Sequence, residues 1–247
     1  MSVLAALGSI YLLADSQTLF PSQDAHSFAE DARSLLEGRD PSAAYIGAAN
    51  GDDPAFYGIF GAAMDVAGIS ERRMIPSTCS GEDARFLASA DVIVVAGGDV
   101  RLGAEVLASS GMGQAIVDRH VAGAVIVGVS AGAVLLGQPG WIEDSRSDDG
   151  TVSAEQVNAL SLVPWMIDAH DEAGGWSRLQ RRVRQVEPYA RGLGLPSGGG
   201  LVVHGDGSLQ PLRRPIVELT RLGDEIVHSV LMPASREAER PSLAQAG

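Results

Sequence analysis

A chain of 247 residues, 45% hydrophobic and with 30 glycines, has enough apolar sequence for one large domain or two small ones with many tight turns. Its formal net charge of -13 argues against a general nucleic-acid partner, which would need clustered cations. All 18 basic residues are Arg, so Schiff-base and Ser-Lys chemistry are excluded, and the single Cys79 excludes an internal disulfide and a Cys-built zinc site.

The N-terminus is apolar but has no basic start, and Asp15 follows soon, so Ile10 to Ala14 reads as a first strand rather than a signal peptide. No apolar run is long enough to span a bilayer. The expectation is a cytoplasmic soluble protein with no membrane and no nucleic-acid partner.

Helix-spaced apolar residues run from Ala25 to Leu36, and Ala43–Ala48 reads as the second strand. Asn50-Gly51-Asp52-Asp53-Pro54 is a turn that ends in helix-starting residues, and a helix follows over Phe56–Val66. Arg72–Ile75 is a short strand and Glu82–Ala88 a short helix. Cys79, in the loop between them, is read as a bystander. Asp91–Ala96 is the clearest strand of the first half and ends in Gly97-Gly98-Asp99. Helices over Leu102–Leu107 and Met112–His120 lead into the strand Ala124–Val127.

From Pro139 to Leu160 the pattern dissolves into polar residues. Leu162–Ile167 reads as a strand delivering Asp168-Ala169-His170, and Trp176–Tyr189 as an Arg-rich helix. Gly198–Val203, Leu209–Leu212, Ile216–Leu219 and Ile226–Leu231 read as strands near the sheet edge, with a hairpin turn at Gly205-Asp206-Gly207. No linker or repeat interrupts the chain. The expected organisation is one α/β domain over residues 1–232 and a flexible tail over 233–247.

Strands that alternate with helices predict βαβ units and a mostly parallel central sheet with helices on both faces, a three-layer α/β fold. Ligands of such sheets bind beyond the carboxyl ends of the strands. Asp15–Gln17, Asn50–Asp53, Gly97–Asp99 and Ser130 are all expected at that edge.

Gly128-Val129-Ser130-Ala131-Gly132 joins an apolar, β-branched strand to an apolar helix. Gly-x-Ser-x-Gly in this setting is the pattern of a nucleophile elbow, in which a serine on a strained turn projects above the strand ends. Side chains two residues either side would collide, which explains the two glycines. The Ala131 N–H opens a helix and has no acceptor within it, so it can bind an oxyanion. Small residues at such a turn also occur where a phosphate binds or where nothing reacts.

A serine nucleophile needs a base, and the base needs an orienting acceptor. Of the five histidines, His26 and His120 fall in helical patterns and read as surface or interface residues. His204 and His228 lie in late strands near turns. His170 ends an apolar strand on the elbow's edge and is the candidate base. The acid is open at this point, with Glu143, Asp144, Asp168 and Asp171 all eligible.

Ala96-Gly97-Gly98-Asp99, the Gly128–Ala133 stretch, and Leu162-Val163-Pro164 leading to Asp168-Ala169-His170 together resemble the dipeptidase E and cyanophycinase family of serine peptidases. The resemblance runs from the first strand to about Pro211. It implies a flavodoxin-like, class I glutamine-amidotransferase-like sheet that carries serine where the amidotransferases carry cysteine. It further implies Ser130 as nucleophile, His170 as base, the Gly98 and Ala131 N–H groups as oxyanion hole, and a third member at Asp144 with Glu143 as its neighbour. Asp99 falls in the substrate-binding part of the pattern. An arginine beyond the histidine would bind an aspartyl carboxylate of the substrate, and Arg178 stands in that place; a guanidinium fork suits that task. The chain departs from the family in Asp171, where an aromatic is usual, and in Asp99-Val100-Arg101 after the double glycine.

The reading is a serine peptidase that cleaves α- or β-linked aspartyl bonds in small peptides, with no cofactor and no metal; a homodimer is compatible with it. An esterase or amidase with the same order of serine, acid and histidine is the alternative. A catalytically silent binding protein of the same fold is a third reading. A dinucleotide site is excluded because no Gly-x-Gly-x-x-Gly follows the first strand.

Overall fold

The computed structural model of the chain describes residues 7–22, 27–29, 32, 38, 40–143, 154–186 and 188–234. The strands are β1 (Ile10–Leu13), β2 (Ser42–Ile46), β3 (Glu71–Ile75), β4 (Val92–Val95), β5 (Val125–Val129), β6 (Gly140–Glu143), β7 (Ala154–Val157), β8 (Met166–Ala169), β9 (Arg191–Leu195), β10 (Gly200–Val203), β11 (Leu209–Leu212), β12 (Ile216–Leu222) and β13 (Glu225–Leu231). The helices are α1 (Pro54–Ala67), α2 (Gly81–Leu87), α3 (Val100–Ser110), α4 (Met112–Val121), α5 (Ala131–Leu136) and α6 (Ser177–Gln185).

Local chemistry explains where these elements begin. Asp53 caps α1 by accepting from the Ala55 N–H, Pro54 follows at the first helical position, and Gly68 closes the helix in the left-handed region. Ser80 and Asp83 form a reciprocal capping box at α2. Asp99 caps α3 through the Arg101 and Leu102 N–H groups.

Seven strands form the central sheet in the order β11-β10-β1-β5-β4-β2-β3. The run from β1 to β3 is parallel, and β10 and β11 close one edge antiparallel. Alternation along each strand divides the core between two faces. Ile10, Leu12, Ile93, Val95 and Ile126 pack on one face with Leu107 of α3, Ile116 of α4 and Leu135 of α5. Tyr11, Leu13, Val92, Val94 and Val127 pack on the other with Phe60 and Met64 of α1 and with Phe28. The predicted three-layer α/β architecture with a mostly parallel sheet is therefore present. Of the predicted helix over 25–36, only Ser27, Phe28, Ala29 and Ala32 lie among the described residues.

The late strands differ from the expectation. They do not all extend the central sheet: β13-β12-β9-β8 form a second, four-stranded sheet. Ile167, Ala169, Leu193, Leu195 and Ile216 turn one face of it into the core shared with α5. Trp176, Leu179 and Val183 cover its other face. In β9, Arg191-Gly192-Leu193-Gly194-Leu195, the glycines are where α6 approaches. A Cβ on Gly194 would lie 2.5 Å from the Trp176 ring, and one on Gly192 would lie 2.8 Å from Leu179.

The remaining differences are local. The strand expected from Leu162 begins at Met166, because the N–H groups of Leu160, Ser161 and Leu162 donate instead to the carbonyls of Leu135, Gly137 and Leu136 at the end of α5. The Arg-rich helix ends at Gln185, three residues before Pro188. The polar stretch after Pro139 contains an antiparallel pair, β6 with β7. His120, expected at the surface or in an interface, is buried at the end of α4, and burial pulls its imidazole below the ordinary range. The expected tail over 233–247 lies outside the described residues beyond position 234. No helix among the described residues is long and apolar enough to cross a membrane.

Candidate active site

Ser130 sits between β5 and α5 with φ 51° and ψ −112°, a backbone conformation that costs a residue bearing a side chain on the order of 1–3 kcal/mol. Two contacts hold it there. Its N–H donates to the Leu13 carbonyl at the end of β1 (2.8 Å), and its carbonyl accepts from Val134 in α5 (3.2 Å). The flanking glycines are required by close approach: a Cβ on Gly128 would lie 2.7 Å from the Ala133 backbone, and one on Gly132 would lie 2.0 Å from the Val95 carbonyl. The strand–turn–helix geometry expected for the serine is present.

The double glycine after β4 reaches the same place. A Cβ on Gly97 would lie 3.1 Å from the Ser130 Cβ. Gly98 has φ 143° and runs so close to the 48–50 turn that a Cβ would meet the Ala49 carbonyl at 2.0 Å. Asn50 braces this loop, its side-chain amide donating to the Gly97 carbonyl (3.1 Å) and to the Tyr45 hydroxyl (3.1 Å). The Asp99 N–H donates to the Ala49 carbonyl (2.7 Å). Ala131 is the first residue of α5, where a backbone N–H lacks an intrahelical acceptor. The carboxylate of Asp99 is spent on capping α3 (2.7 Å to the Arg101 N–H and 3.1 Å to that of Leu102).

His170 follows β8 with φ 62°, its N–H donating to the Leu195 carbonyl of β9 (3.2 Å). Its Nδ1 lies 3.1 Å from the Ser197 hydroxyl, on the loop between β9 and β10. That loop spans the two sheets. The Gly198 N–H donates to Asp15 Oδ2 (2.6 Å), and the Gly199 carbonyl accepts from the Ala14 N–H (3.0 Å), both just after β1. The Ser197 N–H donates to Glu172 Oε1 (3.1 Å). Ser130 is thus fastened to the end of β1, β1 to the 197–199 loop, and that loop to His170.

Asp168 is buried beneath this edge. Arg178 reaches it through Nη2 (3.1 Å) and Nε (3.4 Å), and Nη2 also donates to the Ala169 carbonyl (3.0 Å). Burial pushes the Asp168 carboxyl above the usual range, against the pull of Arg178 and Arg182. Asp171, the departure next to His170, accepts from the Arg178 N–H (3.1 Å) and so begins α6. The Arg178 side chain remains half exposed.

The structure therefore brings Ser130, Gly98, Ala131, His170 and Arg178 to one edge. Of the expected acids, Glu143 is placed only as the last residue of β6, and Asp144 lies outside the described residues. The group found at His170 Nδ1, Ser197, was not expected from sequence. Its signal was the Pro196–Gly200 loop after an unread strand, on the same edge as the elbow.

Two solved structures share this architecture. A peptidase from an acI-B1 Actinobacterium matches at 18% identity with a TM-score of 0.70, covering 94% of this chain and 97% of its own. A putative peptidase E protein from Listeria monocytogenes EGD-e matches at 17% identity with a TM-score of 0.52, covering 92% of this chain and 100% of its own. Among curated proteins none matches the chain. The model of peptidase family S51 matches residues 12–210, which include every site residue described above, so the chain belongs to peptidase family S51, a family of serine-type peptidases.

Proposed function

We propose that the chain hydrolyses aspartyl bonds, α- or β-linked, in small peptides through an acyl-enzyme on Ser130. The observation that carries this reading is the strained Ser130 turn, tied through β1 and the 197–199 loop to the imidazole of His170. With its proton on Nδ1, His170 keeps the Nε2 lone pair as the base. Ser130 Oγ attacks the scissile carbonyl carbon as Nε2 takes its proton. The Gly98 and Ala131 N–H groups receive the oxyanion, and collapse of the intermediate passes the proton to the leaving amine. Water, deprotonated by His170, then attacks the acyl carbon and releases Ser130.

Arg178 supports the aspartyl specificity. Its fork is oriented by Asp168, it donates to the carbonyl of Ala169, the residue before His170, and its Nη1 makes no hydrogen bond among the described residues. A substrate carboxylate can take that donor.

The test is mass spectrometry of wild-type and Ser130→Ala protein with α-aspartyl peptides, β-aspartyl-arginine and simple esters. The expected result is cleavage of an aspartyl peptide by wild type, with activity at least about 10³-fold lower in Ser130→Ala. Arg178→Ala should raise KM for aspartyl peptides more than for alanyl analogues. Turnover of esters alone would replace the peptidase reading with the esterase one. No turnover, together with Ser130 unlabelled by an acylating serine probe, would leave the binding-protein reading.

A further inference from the structure

His170 meets a hydroxyl at Nδ1, and a hydroxyl carries no charge with which to stabilise an imidazolium. Four described carboxylates lie on the segments that meet at His170: Asp15, Asp168, Asp171 and Glu172. Asp168, on β8, is engaged by Arg178. Asp171 accepts from the Arg178 N–H at the start of α6. Asp15, at the end of β1, accepts from the N–H groups of Gln17 and Gly198. Glu172 differs from these three: its Oε1 receives the Ser197 N–H at 3.1 Å, and its carboxylate interacts favourably with the Ser197 hydroxyl and with the His170 charge. Arg178, the cation of these segments, pairs with Asp168 (3.1 Å) and lies 3.9 Å from Asp171.

We propose that Glu172 is the acid of this site and acts on His170 through the hydroxyl of Ser197, as a positioning residue two links from the imidazole. The proposal rests on the assignment of Ser130 and His170 above. Its geometry follows from donor counting. The Ser197 hydroxyl has one proton and two lone pairs. Given to Glu172, the proton leaves a lone pair facing Nδ1–H, which fixes the tautomer that keeps Nε2 basic. A hydroxyl that donates to a carboxylate is also a stronger acceptor, because hydrogen bonds in a chain polarise one another. The carboxylate is consistent with this use: burial raises it, but the Ser197 hydroxyl, backbone donors and the His170 charge together outweigh burial and hold it below the ordinary range.

Glu172→Gln tests the charge, because an amide oxygen still accepts from the Ser197 N–H and preserves the loop. The readouts are the pH profile of kcat/KM on a cleaved peptide and the His170 titration followed by NMR. In Glu172→Gln the imidazole pKa, and with it the acid limb of the profile, should fall by roughly one unit. The plateau of kcat/KM should fall about tenfold, the equivalent of one unit. Ser197→Ala should do the same. Ser197→Asp, which sets a carboxylate directly against Nδ1, should restore both readouts, and adding Glu172→Gln to it should then change little.

An unaltered His170 titration in Glu172→Gln would overturn the proposal, as would a shift produced by Asp144→Asn in place of Glu172→Gln. Activity retained by Ser130→Ala would overturn the underlying assignment instead. Loss in Ser130→Ala with Glu172→Gln indistinguishable from wild type would overturn the relay alone.

Discussion

Gly98 shows how much of this site is fixed by backbone rather than by side chains. Its φ of 143° lies outside what an L-residue adopts, and a methyl group there would sit 2.0 Å from the Ala49 carbonyl and 2.9 Å from the Asn50 nitrogen. Both obstacles are backbone, so no rotamer change relieves them. Gly98→Ala must move the loop, and with it the N–H assigned to the oxyanion. The expected outcome is a kcat/KM loss of about 10²–10³-fold, the scale of a lost oxyanion donor, with KM little changed. Steady-state kinetics beside a thermal melt decide it: a folded variant of near wild-type rate would remove Gly98 from the oxyanion hole. The double glycine and Ser130 were legible in the sequence because both break otherwise apolar strand ends. Ser197 and Glu172 were not. A serine in a glycine loop and a glutamate in a polar turn have no pattern of their own, and only the fold brings Ser197 to His170 Nδ1 and Glu172 to the Ser197 N–H.

At the level of elements, legibility followed burial. The strands β1, β4 and β5 are buried on both faces and read as unbroken apolar runs, as does β2 after its first residue, Ser42. Two of the five residues of β9 are glycines that make room for Trp176 and Leu179, so its pattern is erased by the helix it serves. The smaller sheet that contains β9 is joined by one carboxylate. Glu218 of β12 accepts from Trp165 Nε1 (2.9 Å), from the Arg191 guanidinium and from the Ser229 hydroxyl (3.3 Å), and the Arg191 guanidinium stacks on the Trp165 ring. Burial pushes this carboxyl up, but the donors of Trp165 and Arg191 prevail and hold it below its ordinary value. A depressed acid binds fewer protons in the native state, so its stabilisation is complete above the unfolded pKa, near 4.3, and is lost as pH falls through the folded one. Glu218→Gln should lower stability at pH 7 by about 1.5–3 kcal/mol, the range of hydrogen bonds to a charged group. The gap between variant and wild type should narrow steadily below about pH 4. Urea titrations at a series of pH values measure this, and a gap independent of pH would show that the charge is not what Glu218 contributes.

Across the whole molecule, the site is divided between sheets. Ser130 and the Gly98 loop come from the central sheet, His170 and Ser197 from the ends of β8 and β9 in the smaller one. Their alignment depends on a shared core, in which Ile167, Leu193 and Leu195 of the smaller sheet pack in one cluster with Leu135, Leu136 and the strands of the larger. Leu193 is fully buried at the centre of β9. Leu193→Ala leaves a cavity between the sheets and should cost about 2–5 kcal/mol. If the two sheets unfold as one unit, that loss appears in every probe alike. Trp165 and Trp176 belong to the surroundings of the smaller sheet, so with the third tryptophan replaced (Trp141→Phe) fluorescence reports on it, whereas far-ultraviolet circular dichroism reports on all elements. In this background, with and without Leu193→Ala, the two denaturation curves should superimpose, with activity lost at the same denaturant concentration. Fluorescence that changed before the dichroism would mean that the smaller sheet opens alone, carrying His170 and Ser197 away from Ser130 while the central sheet stays folded.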